Sequence, residues 1–326
     1  MKHIGFVLSF TTLAALAGAQ QGQVAGPVVG YVFDGSAQAL RPVLGIPGAS
    51  LLGTPLALGY DLTWAAVAPG GDSAVAMAAD GSVHLLRLAG AQATEMTLNG
   101  ASVAPSRAVF SPSGRSVALV ASGKAQVFSG LPDAASLVAT MDLGTGAARQ
   151  VQAQGLQQAE ARPAPMALTD DGAWLLVAAN GSAQLVGAGG SHSIANAGRG
   201  SLVAFAPGSH DAALLDGRQS LTIIRSVDSG PAQQPLTPSS GVAGATGLEF
   251  SADGQSLYLA GPGTTVTLFD LAGGAQTPVV CGCSATGLTR MGNVYRLNEL
   301  GAGPLWVLDP APGHQRIVFV PAAAPE

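Results

Sequence analysis

Thr246 to Val280 reads TGLEFSADGQSLYLAGPGTTVTLFDLAGGAQTPVV, and its punctuation decides the fold. Four apolar runs of strand length, TGLEF, SLYLA, TVTLFD and TPVV, are separated by SADG, GPG and AGGAQ. Short apolar runs bounded by Gly, Asp, Ser and Pro read as strands joined by tight turns. Asp253-Gly254 is a pair that supplies the positive φ of a hairpin turn. Four antiparallel strands in about forty residues make one blade of a β-propeller.

The unit recurs. WAAVAPGGDSAVAMAADGSVHLLRL (64–88), AVFSPSGRSVALVASGKAQVFSG (108–130), MALTDDGAWLLVAANGSAQLVG (166–187) and LVAFAPGSHDAALLDGRQSLTIIRS (202–226) each offer three strands and two turns. A last unit spans 286–321. Near the N-terminus, VVGYVFDG (28–35) ends in aromatic-Asp, as TVTLFD does. It reads as the third strand of a unit that begins in its middle, with ALRPVLGIPG (39–48) as the fourth and SLLGTPLALG (50–59) as a connection or an extra strand. Third strands then end near Asp34, Arg87, Ser129, Gly187, Arg225, Asp270 and Asp309. The expectation is an all-β chain with one propeller domain over 27–323. It has seven blades, one of them incomplete near the N-terminus; six blades is the alternative count. The widest spacing holds TGAARQVQAQGLQQAEARPAP (145–165), read as a long surface loop, and 324–326 form a tail.

Composition narrows the class. Of 326 residues, 48% are hydrophobic and only 10% charged, against roughly 25% charged in ordinary soluble domains. The 45 Gly and 21 Pro supply turns for many short strands rather than a helical bundle. The 14 Lys and Arg are scattered and the net charge is −5, which argues against a nucleic-acid partner. Lys2 and His3 precede an apolar run over 4–17, and Ala17-Gly18-Ala19 presents small residues to a signal peptidase. This predicts an export signal over 1–19, cleavage between Ala19 and Gln20, a linker over 20–26, and a secreted or periplasmic protein. No other stretch approaches the length of a membrane span, so the mature form is expected to have none.

Phe110-Ser-Pro-Ser-Gly114, Leu168-Thr-Asp-Asp-Gly172, Phe205-Ala-Pro-Gly208 and Phe250-Ser-Ala-Asp-Gly254 recur between first and second strands. The pattern resembles WD-repeat-type and YVTN-type bacterial propellers over most of 64–321. Gly-His and Trp-Asp dipeptides in register are absent. The resemblance implies a propeller and, commonly, a binding or scaffold role.

Candidate chemistry is sparse. Cys281 and Cys283 are the only cysteines; a local disulfide, two free thiols, and redox or metal work are the readings open to them. His84, His192, His210 and His314 stand apart from one another in sequence and from paired acids at ligand spacing, and read as solvated or locally bonded. Asp170-Asp171 could be paired carboxylates, but adjacent turn residues diverge and Asp171 opens an Asp-Gly turn. Asp34, Asp80, Asp216 and Asp253 precede Gly for the same reason, without the alternating oxygen ligands of a calcium loop. Trp64, Trp174 and Trp306 suit packing between blades, or a stacking platform for a sugar or peptide. No phosphate cradle or nucleophile elbow is present, so no catalytic set, cofactor or metal is expected.

The turns of Ser111, Asp171, Pro207 and Asp253 are expected to share one face of the ring. The function expected is a non-catalytic exported scaffold binding a protein or a small-molecule or glycan ligand. The alternatives are a lyase or hydrolase with its site at the central channel, and a structural subunit of an envelope assembly.

Overall fold

Each blade of a ring has a neighbour against both faces, so its middle strands are apolar throughout instead of alternating. LLVAA at 175–179 is buried at all five positions. The computed structural model describes residues 26–101, 104–144, 164–238, 242–261 and 263–322. Within these, seven antiparallel sheets make a seven-bladed β-propeller.

Blade 1 holds β1 (Val28–Asp34), β2 (Ala39–Ile46) and β3 (Ala49–Leu52). Blade 2 holds β4 (Leu62–Val67), β5 (Ser73–Ala78), β6 (Val83–Ala89) and β7 (Gln92–Met96). Blade 3 holds β8 (Arg107–Phe110), β9 (Ser116–Ala121), β10 (Lys124–Ser129) and β11 (Ser136–Asp142). Blade 4 holds β12 (Met166–Leu168), β13 (Leu175–Ala179), β14 (Ser182–Gly187) and β15 (Gly190–Asn196). Blade 5 holds β16 (Leu202–Phe205), β17 (Ala212–Leu215), β18 (Leu221–Arg225) and β19 (Ala232–Leu236). Blade 6 holds β20 (Gly247–Phe250), β21 (Ser256–Ala260), β22 (Thr265–Asp270) and β23 (Gln276–Val280). Blade 7 holds β24 (Thr289–Met291), β25 (Val294–Arg296), β26 (Leu305–Asp309) and β27 (Arg316–Val320).

Strands follow chain order within every sheet, from the channel outward in blades 2 to 7. The core is divided accordingly into seven apolar clusters, one per blade junction. The junction of blades 7 and 1 is among them: Val32 and Val43 pack against Met291, Val294, Leu305, Val307 and Val320. Among the described residues the ring is therefore closed by side-chain packing, and no sheet mixes strands from the N- and C-terminal blades.

Blade 1 differs from the expectation in its assignment. Leu62 N, at the start of β4, bonds Gln38 O in the β1–β2 turn at 2.7 Å, and Arg316 Nη2, at the start of β27, bonds Pro47 O in the β2–β3 turn at 3.0 Å. The β1–β2 turn thus lies on the face where inner strands begin, as second-to-third turns do. β1, β2 and β3 occupy the second, third and outermost places, and no strand among the described residues takes the inner place. The aromatic-Asp ending misled because it marks the turn type and not the strand's place. Asp34 Oδ1 accepts Ser36 N at 3.0 Å and Asp270 Oδ1 accepts Ala272 N at 3.0 Å, the same Asx turn on opposite faces.

Residues 145–163 of the expected long loop, the expected signal over 1–19 with Ala19 and Gln20, and the tail lie outside the described residues. No helix among the described residues is long and apolar enough to cross a membrane.

Candidate functional site

The face bearing the first-to-second strand turns, here called the upper face, is built by one local device. Thr169 Oγ1 donates to Asp171 Oδ1 at 2.6 Å, and Ser251 Oγ to Asp253 Oδ1 at 2.6 Å. The same carboxylate oxygens accept Ala173 N at 2.9 Å and Gln255 N at 3.0 Å. Gly172 and Gly254 follow at φ 72° and 70°, which only glycine adopts without strain. Ser111, Thr169 and Ser251 are buried, so each hydroxyl ties its turn to the strands beneath.

Neighbouring turns are then laced together. Asp170 accepts Ser113 N from blade 3 and Gly208 N from blade 5, both at 2.7 Å. Pro207 lies against the turn of Asp253, its Cδ 3.6 Å from the place a Cβ on Gly254 would take. Ser111, Asp171, Pro207 and Asp253 thus sit on contiguous turns of blades 3 to 6. His210 bridges blades 4 and 5: Nε2 meets Asp171 Oδ2 at 2.9 Å and Nδ1 meets Asp228 Oδ2 at 2.7 Å. Both partners only accept, so both ring nitrogens must donate and the ring is an imidazolium. Desolvation works against that charge, but the bonds to Asp228 and Asp171 outweigh it and raise the His210 pKa. The histidine read from sequence as isolated is therefore held by two acids that the ring brings from 39 and 18 residues away.

His84 is also partnered. Nδ1 meets Glu95 Oε1 at 2.6 Å, Nε2 meets Ser82 Oγ at 2.7 Å, and the ring stacks on Tyr60 with centroids 4.3 Å apart. The order Ser–His–Glu imitates a nucleophile chain, but Ser82 donates its one hydroxyl proton to Asp80 Oδ1 at 2.6 Å, closing an Asx turn. A serine whose proton is held by a second carboxylate is not activated by the imidazole. Desolvation, with the Glu95 carboxylate beside the hydroxyl, raises the Tyr60 pKa to about 12.

The channel carries charge as well. Glu249 on β20 keeps partial solvent contact but is enclosed by protein, and this desolvation pushes its carboxyl up to about 7 against a weaker pull from Arg290. Arg290 on β24 donates Nη1 to Pro112 O of blade 3 at 3.2 Å, and Arg107 on β8 donates Nη1 to Ala164 O at 2.7 Å. Both guanidinium groups are tied to carbonyls. Tyr295 donates to Phe250 O at 3.1 Å and is raised by burial.

Beside the inner place that no described strand takes lies a cavity of about 460 Å³ on the upper face, between blades 7, 1 and 2. Its wall is Val28–Tyr31, Gly45–Pro47, Gly70–Asp72, Leu88–Gly90 and Gly292–Val294. Six of these sixteen residues are glycine, so much of the wall is bare main chain, and Asp72 is the one charged side chain. Gly292 N bonds Pro69 O at 2.9 Å, drawing blades 7 and 2 together beside the gap. The sequence signal was the missing first hairpin of the N-terminal unit.

Cys281 and Cys283 form a disulfide, Cα atoms 5.0 Å apart, in the core between blades 6 and 7. Trp64, Trp174 and Trp306 pack at three different blade junctions and share no platform. Among the described residues no group of three or more His, Cys, Asp or Glu side chains is arranged to hold a metal ion.

No protein-family model matches the chain, and no curated protein matches it. Among solved structures it is similar to a functionally unknown protein from Desulfotomaculum acetoxidans. The two share 12% identity with a TM-score of 0.58 over 90% of this chain and 100% of that one. It is also similar to a candidate 6-phosphogluconolactonase from Bacteroides fragilis, at 14% identity and a TM-score of 0.57 over 90% of this chain and 94% of that one. Likeness at this identity shows the propeller fold and no more.

Proposed function

We propose that the chain is an exported, non-catalytic binding scaffold whose ligand enters the upper-face cavity of blade 1. The cavity carries the reading: it lies within the roughly 300–1,000 Å³ of small-ligand sites and offers main-chain hydrogen-bonding groups and apolar walls. It brings no nucleophile, base or pair of titratable groups together. Residues 1–19 support export, and the Ser/Thr-x-Asp-Gly turns support a kinship with WD- or YVTN-type repeats.

A screen of metabolites, glycans and peptides against the chain from Gln20, repeated on Ala89→Trp, tests the reading. Ala89 lines the cavity and is exposed, so the indole fills space without disturbing the core. The expected result is a ligand lost in the variant. A ligand held equally well by the variant places the site elsewhere and ends the proposal.

A further inference from the structure

We infer that the cavity accepts an extended peptide segment with a cationic side chain, which pairs along the inner edge of β1 in the place that no described strand takes. The inference rests on the binding reading above and names its ligand class.

The edge comes first. Gly53 N donates to Pro42 O at 2.8 Å, so the main chain of Pro42 faces β3. Antiparallel pairs alternate between bonded and non-bonded. Tyr31, opposite Pro42, and Phe33, opposite Leu40, therefore turn their N–H and C=O groups away from β2 toward the channel. Among the described residues no main-chain group bonds them there. In the six other blades the strand in this place is paired on that side: β5 with β4, β9 with β8, β13 with β12, β17 with β16, β21 with β20 and β25 with β24. Unmet main-chain groups along a strand are the template for strand addition.

Size and charge complete the argument. Inner strands of blades 3 to 7 are only three or four residues long, so a short segment fills the place. Gly30, Gly70 and Gly71 set no side chain between an incoming backbone and the wall. Gly292 packs against Val29 O, which starts the pairing at Tyr31. Asp72 Oδ1 accepts the Ser73 hydroxyl at 3.2 Å, and no cationic side chain is among the residues that line the cavity with it. An ammonium or guanidinium on the segment meets it; a carboxylate is repelled.

Titration of the full chain uses an acetylated, amidated hexapeptide of alternating valine and threonine with one central lysine. Two controls replace the lysine with glutamate or N-methylate the backbone. The lysine peptide is expected to bind about tenfold tighter than either control, and Asp72→Asn to erase its advantage over the glutamate peptide. Hydrogen exchange at the Tyr31 and Phe33 amides should slow by about tenfold on binding while Val32, already paired, is unchanged. Equal binding of the N-methylated peptide, or unchanged exchange, overturns the inference. So does a free chain that already protects Tyr31 and Phe33 as strongly as Val32, since the edge is then filled from within. A metabolite or glycan that occupies the cavity while the peptides do not overturns the peptide class and leaves the scaffold standing; silence from every ligand removes both.

Discussion

Asp171 divides its work between two oxygens. One holds its own turn through Thr169 and Ala173, and the other reaches His210 in the next blade. Sequence spacing showed the first role, because an Asp-Gly turn is local, and hid the second, because it depends on how blades lie side by side. The His210 pKa is raised above its ordinary 6.5, so its contribution to stability is full below that value and is lost as pH rises through the folded one. The pKa values of Asp171 and Asp228 are lowered from 3.8, so theirs is present above that value and lost as pH falls through the folded ones. Thermal melts should therefore show Tm falling as pH rises past neutrality, and His210→Gln should flatten that limb; an unchanged limb removes the imidazolium from the account. Glu249 acts in the opposite sense. Its carboxyl is raised from 4.5 to about 7, so the folded chain loses stability as pH rises between those values. Glu249→Gln should leave stability near pH 4 unchanged and raise it near pH 8 by at most about 3 kcal/mol, read by denaturant titration.

Strands were the most legible elements, because apolar runs between glycine-bearing turns leave few other readings. The turns of blades 4 and 6 were readable in the Ser/Thr-x-Asp-Gly pattern itself, and that of blade 3 in its Ser-Pro-Ser-Gly relative. Blade 1 was misassigned by one place because an Asx turn ends strands on either face alike. Close packing within inner strands left no mark in the sequence. Gly247 begins β20, and a Cβ there would sit 2.3 Å from Leu288 Cβ and 2.5 Å from Leu288 N. The main chain of the neighbouring blade cannot give way as a flexible side chain can. Gly247→Ala should cost about 2–3 kcal/mol in chemical unfolding, whereas Gly282→Ala, with nothing within 4 Å of its Cβ position, should be close to neutral. Equal costs would mean that blades 6 and 7 are not in such close contact.

For the molecule as a whole, the sequence offered the number of blades through its period but no account of closure, since among the described residues closure involves no strand pairing that a pattern could betray. It is carried by Met291 and its neighbours against Val32 and Val43, with Gly30 yielding the space that Met291 Cγ occupies. Met291→Ala should cost about 2–4 kcal/mol and lower Tm without changing the fold seen by circular dichroism. A cost no greater than that of an exposed Leu51→Ala control would show that the ring is not held there.

Because every blade is a single uninterrupted piece of chain, the order in which the blades are synthesised is arbitrary. A gene opened in the link between β7 and β8, with Ala322 joined to Gly26 by a spacer spanning the blade height, would encode the same wheel with different ends. The former gap would become a covalent tether, and the spacer would run past the cavity between blades 7, 1 and 2.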